Sequence, residues 1–173
     1  GMLVTSNNDI KSRANIIRNY GQSVRYEHPV LGINSRLDEI QAAILLVRLK
    51  WLDKFTQRRK EIAGNYNKYI NNKYIQKLQL PDEKDSHVFH LYVINCNNRD
   101  KLQKYLELSG IQSLIHYPVP IHKQKPCLNI MKDKNGLDNS VAHSNSCLSL
   151  PCHPQMSDED IKKIIDVVND FII

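Results

Sequence analysis

From Leu37 onward, apolar residues recur at alternating steps of three and four: Leu37, Ile40, Ile44, Val47 and Trp51. That spacing places all five on one face of an α-helix and does not fit the period-two alternation of a strand. The pattern runs on through Phe55, Ile62, Tyr66 and Tyr69, so one near-continuous helix is expected over residues 35–70. Ser35 followed by Asp38 has the form of a capping box, with Asp a poorer closing member than Glu. Such a helix would be roughly 50 Å long, more than a small lobe covers, so one end should project toward another domain or subunit.

The flanking segments are shorter. Leu3–Thr5 reads as a strand, and Asp9 as the cap of a helix that runs to about Tyr20 and stops at Gly21. The loop from Gly21 to Gly32 is long for a mere connection, and long ordered loops more often carry function. Beyond it, residues 87–94, 111–116 and 148–150 read as strands, the second cut short by Pro118 and Pro120. Helices are expected at 99–109, stopped by Gly110, at 139–146, and from a Ser157 cap through Ile172. Ser157 and Asp160 again form a capping box, with Ile161, Ile164, Ile165 and Val168 on one face. The class is therefore α+β: a small, mostly antiparallel sheet backed by helices, with one long helix. Residues 1–34 read as the remnant of a different lobe, 35–70 as the connecting helix, and 71–173 as a small α+β domain.

Composition bounds the function. Hydrophobic content of 41% and charged content of 24% are those of a soluble globular chain. No apolar run approaches the roughly 18 residues that cross a bilayer, and no secretion signal is visible, so a cytoplasmic protein without a membrane partner is expected. Cys96, Cys127, Cys147 and Cys152 form no C-x-x-C pair and read as free thiols; the segment from His143 to His153 matches no standard zinc spacing, so no metal site is assigned. The whole net charge of +6 sits in the first 70 residues. It suits either an anionic partner or a solvated helix face. Nucleic acid is disfavoured, because neither an RNA-binding aromatic pattern nor zinc-finger spacing is present.

The run Gly32–Ala43, with Arg36 inside a G-x-N-x-R motif, is followed by Arg58-Arg59, His90-Leu91-Tyr92, the block His116-Tyr117-Pro118-Val119-Pro120-Ile121-His122, and Leu148-Ser149-Leu150-Pro151. In that order these blocks resemble the DegT/DnrJ/EryC1/StrS sugar aminotransferases over nearly the whole chain. The resemblance implies the small C-terminal lobe of a fold-type-I, pyridoxal 5'-phosphate (PLP)-dependent homodimer. It also implies transfer of an amino group, commonly from glutamate, to a nucleotide-linked keto-sugar for polysaccharide or deoxysugar biosynthesis. By resemblance Asn34 reaches the PLP phosphate of the other subunit, where its amide donates hydrogen bonds. On the residues alone Asn34 is equally a helix cap or turn residue, and both roles can hold together. Arg36 is a candidate for phosphate or sugar. His116 and Tyr117 are candidate sugar contacts on a loop rigidified by two prolines; without the resemblance a histidine at a strand end is more often structural. His122 either joins them or supports the loop, and Tyr26 is a weaker candidate for the same pocket.

The resemblance places the Schiff-base lysine upstream of Leu3, and none of the lysines here matches it. The chain alone is therefore expected to be inactive and to bind no PLP covalently. Apolar surface near Leu3, Ile16, Ile17 and the start of the long helix should favour a homo-oligomer. A non-catalytic dimerisation or protein-binding module is the alternative.

Overall fold

The computed structural model describes residues 2–80, 83, 86–130, 133 and 136–173. The chain divides into two compact units, residues 1–51 and 52–173.

In the first unit, α1 (Asn8–Arg18) and α2 (Glu39–Leu49) flank a long loop. The cap of α1 is Asn7 rather than Asp9: its side chain accepts from the backbone N–H groups of Asp9 (2.8 Å) and Ile10 (3.2 Å). Leu3–Thr5 is not a strand; it has no pairing partner among the described residues, and Leu3 and Val4 are exposed. The loop folds back on α1. Tyr20 N–H donates to Ile33 O, Ile33 N–H to Ile17 O, and Ser35 N–H to Arg18 O, at 2.8–3.0 Å. Gly21 (φ +73°) and Gly32 cross so closely that a Cβ on Gly32 would lie 1.9 Å from the Gly21 nitrogen. Only glycine fits at that crossing.

The expected single helix over 35–70 is two helices, α2 and then α3 (Leu52–Tyr69). Ser35 cannot start it. Its N–H is committed to Arg18 O, and its own carbonyl accepts from Arg18 Nε at 3.1 Å. Asp38 is the N-cap instead, without a side-chain cap bond. At Lys50–Trp51 the ladder gives way to a turn, with Trp51 N–H on Arg48 O, a tighter i→i−3 bond.

The second unit is an α+β fold. Its sheet is antiparallel in the order β1 (Gln76–Lys77), β2 (Tyr92–Asn95), β3 (Cys147–Leu150), with Tyr92 opposite Leu150 and Asn95 opposite Cys147. It carries α3, α4 (Arg99–Leu108), α5 (Asp138–Ser146) and α6 (Asp158–Asp170). Ile62, Ala63, Tyr66 and Ile70 from α3 and its end meet Ile161, Ile164, Ile165 and Val168 of α6 in the core, with Ile94 and Leu148 from the sheet and Leu102 and Leu106 from α4. The α6 capping box forms as expected: Asp160 N–H donates to Ser157 Oγ (3.1 Å), and Ser157 N–H to Asp160 Oδ2 (3.2 Å). Those bonds hold the Asp160 carboxyl below its usual range. Lys77 Nζ donates to the Asn67 and Ile70 carbonyls at the end of α3, and Asn72 Nδ2 to the Val168 and Phe171 carbonyls at the end of α6. These side chains satisfy acceptors that a helix end leaves open.

Two strand expectations need correction. Of residues 87–94, only Tyr92–Ile94 lie in β2. His87 Nδ1 accepts from Phe89 N–H at 2.9 Å and Phe89 has φ +50°, which bends the preceding residues out of an extended path. Residues 111–116 touch the sheet at a single bridge, Leu114 to Ser149. Ile111 N–H is spent on the α4 end at Leu106 O, and Ser113 O accepts from Gln103 Nε2, which takes those two groups out of any ladder with the sheet.

Candidate functional site

In the second unit the block from His116 to His122 lines a cleft of about 810 Å³. His116 ends the segment that bridges to β3. Its Nδ1 lies 2.8 Å from Ser149 Oγ, while Tyr117 stands edge-on to the imidazole, 5.3 Å between ring centres at 89°. Tyr117 is 70% exposed, so its ring and hydroxyl are open to a ligand. Pro120 enters the next turn in extended geometry, and Lys123 N–H on Pro120 O (2.9 Å) starts a 3₁₀ turn, Ile121–Lys123, that carries His122. The two prolines fix φ on either side of Val119, so the side chains are placed at little entropic cost.

Ser140, His143 and Ser144 of α5 also line the cleft. Arg99 secures that helix: its Nη1 donates to Ser144 O at 2.6 Å. Three histidines, a tyrosine and two serines thus sit among Pro118, Val119, Ile121 and Ile130. A concave site of this kind, largely apolar with a few hydrogen-bonding groups, suits an organic ligand rich in oxygens. Among the described residues no group of three His, Cys, Asp or Glu is placed to hold a metal ion.

His116, Tyr117 and His122 are therefore brought together. Nothing in the sequence pattern points His143 to this cleft; Ser149 sits in the Leu148–Pro151 block, with no local signal that its hydroxyl meets a histidine. The remaining candidates lie in the first unit, on the loop between α1 and α2. Asn34 pairs with Asn19 through a single backbone bridge, is exposed, and its amide makes no hydrogen bond among the described residues. Arg36 stacks its guanidinium 5.8 Å from the Tyr20 ring centre. Tyr26 sits at φ +73°, exposed, with Arg25 5.0 Å from its ring centre.

Beneath the sheet, Tyr66 OH donates to Pro151 O (2.8 Å) and Tyr92 OH to Asn67 Oδ1 (2.7 Å), and burial pushes both phenols well above their usual range. Their role is structural: both are buried core residues whose hydroxyls are already partnered.

Residues 1–169 match the sequence model of the DegT/DnrJ/EryC1/StrS aminotransferase family. The chain is 40% identical over 171 residues to a dTDP-3-amino-3,6-dideoxy-alpha-D-galactopyranose transaminase of Aneurinibacillus thermoaerophilus, covering 99% of this chain and 46% of that protein. It is 35% identical over 170 residues to a UDP-N-acetyl-3-dehydro-alpha-D-glucosamine 3-aminotransferase of Acidithiobacillus ferrooxidans, covering 97% and 45%. A crystal structure of a DegT DnrJ EryC1 StrS aminotransferase from Brucella abortus superposes with a TM-score of 0.83 at 33% identity, covering 95% of this chain and 44% of that one. The chain spans about half the length of the curated relatives it matches. With the motif order and the α+β fold in agreement, the chain belongs to the DegT/DnrJ/EryC1/StrS aminotransferase family.

Proposed function

We propose that this chain is the C-terminal part of a cytoplasmic, homodimeric PLP enzyme that moves an amino group from glutamate to a keto-sugar carried on a nucleoside diphosphate. The observation that carries the reading is the convergence of His116, Tyr117 and His122 on one cleft, in a chain of this family. Relatives named for both dTDP- and UDP-sugars support the substrate class and leave the sugar and nucleotide open.

The residues fit the cofactor at one point. Asn34 is exposed, has no intramolecular hydrogen bond for its amide among the described residues, and is held by the backbone bridge to Asn19, so it presents two N–H donors suited to phosphate oxygens. PLP, when bound, supplies the electron sink for moving the amino group. Arg36 adds a positive charge two residues away for phosphate or sugar, and Tyr26 is a further contact from the same loop. In the cleft, Tyr117 offers a hydroxyl and a ring face, and His116 and His122 offer ring nitrogens to sugar or phosphate oxygens.

The test uses the full-length holoenzyme, whose two half-reactions are measured separately. Asn34→Ala should weaken PLP retention by about 1.5–3 kcal/mol, the value of a hydrogen bond to a charged acceptor. His116→Ala and Tyr117→Phe should slow the nucleotide-sugar half-reaction and leave the glutamate half-reaction nearly intact. Unchanged PLP affinity in Asn34→Ala, together with loss of both half-reactions in His116→Ala, would overturn these roles.

A further inference from the structure

Ser149 is 5% exposed on β3, and the Nδ1 of His116 is the sole hydrogen-bond partner of its hydroxyl among the described residues, at 2.8 Å. Its backbone is pinned to Leu114 by a reciprocal pair, Ser149 N–H to Leu114 O (2.8 Å) and Leu114 N–H to Ser149 O (3.2 Å). The hydroxyl is therefore placed by β3 together with the segment that leads, two residues beyond Leu114, into His116.

Two arrangements of the proton satisfy the distance. If Nδ1–H donates to Ser149 Oγ, the serine O–H is left buried with no acceptor, which carries the desolvation cost of an orphaned donor. If the serine O–H donates to Nδ1, no buried donor is orphaned and the ring proton sits on Nε2. The second arrangement wins on that count. Nδ1 is turned to the buried serine, so Nε2 is the ring nitrogen left to the cleft that His116 lines. The edge-on Tyr117 ring adds a second restraint on the imidazole.

We propose that Ser149 is a positioning residue: its buried hydroxyl holds His116 as the Nε2–H tautomer, which makes the cleft's histidine a hydrogen-bond donor toward an oxygen of the bound substrate. That this oxygen belongs to a nucleotide-sugar rests on the function proposed above; the tautomer does not. A donor at this position selects for ligands with an acceptor oxygen there, because a ligand lacking it would leave Nε2–H unpaired.

The experiment is long-range ¹H–¹⁵N NMR of the full-length holoenzyme labelled with ¹⁵N-histidine, with His116 assigned by the signals lost in His116→Gln. The neutral ring should be the Nε2–H tautomer in the parent and in Ser149→Thr, which keeps the hydroxyl, and a mixture of tautomers in Ser149→Ala. The specificity constant for the nucleotide-sugar half-reaction should fall roughly tenfold in Ser149→Ala and recover in Ser149→Thr, with the glutamate half-reaction unchanged. A parent ring protonated on Nδ1, or a tautomer that does not respond to Ser149→Ala, overturns the proposal whatever the kinetics. A tautomer that shifts as expected, with a nucleotide-sugar half-reaction indifferent to both Ser149→Ala and His116→Ala, supports the positioning pair and overturns the reading of the cleft as the sugar site.

Discussion

Arg58 and Arg59 are neighbours on α3 and reach different partners, because consecutive helical residues point about 100° apart. Arg58 donates to Met156 O (2.9 Å) and Asp158 Oδ1 (2.6 Å) at the start of α6. Arg59 donates to His90 O (3.2 Å) and to Cys152 O, tying α3 to the approach to β2 and the exit from β3. Beside it the Cys152 thiol is buried, and desolvation pushes it from 9.0 to about 11, with Arg59 partly opposing the shift. A thiol whose folded value is raised contributes its full stability below about pH 9 and loses it as pH climbs toward 11. The parent should therefore lose on the order of 2 kcal/mol more stability across that interval than Cys152→Ala, by denaturant unfolding on both sides of it. Equal slopes for the two proteins would show that the thiol does not titrate in the fold.

Two glycines on different elements make opposite predictions. At the loop crossing, Gly32 has a backbone nitrogen where a Cβ would go, so Gly32→Ala should cost about 2 kcal/mol or more. Gly64 lies within α3 with nothing inside 4 Å of its Cβ position, so Gly64→Ala should stabilise by about 0.5–1 kcal/mol through helix propensity. Thermal unfolding of the two variants checks both signs, and a neutral Gly32→Ala would mean the crossing opens in solution. The two capping boxes show how far such signals reach. Ser157–Asp160 closes because the Ser157 N–H goes to Asp160 and its carbonyl to Ile161 N–H within the same helix; Ser35–Asp38 does not, because Arg18 claims Ser35 from both sides.

At the scale of the molecule, α2 is the element with the least cover. None of its residues is buried, and Ile40, Ile44, Leu45, Leu46, Val47 and Leu49 are all exposed. An apolar surface of this extent favours association. The chain should sediment as an oligomer, and Ile44→Asp with Val47→Asp should shift it toward monomer without loss of helical circular dichroism. A parent that stays monomeric at high concentration would count against that role for α2.

The helices were legible because their hydrogen bonds close within four residues, so period and caps are local facts: α4, α5 and α6 fall within one or two residues of their expected limits. Local pattern also carried the α+β class and, through ordered motifs, the family. Strand extent was not legible, since a rung exists only where a distant backbone offers its partner; this is why 111–116 keeps a single bridge and Gln76–Lys77 becomes a strand unannounced. The break at Lys50–Trp51 interrupts an apolar stripe that the sequence carries straight through. The cleft is the clearest case. His116 and His122 stand out by motif, but His143 and Ser149 reach the site because the single Leu114–Ser149 bridge brings β3, with α5 just before it, to the substrate-loop block, a juxtaposition that no spacing along the chain encodes.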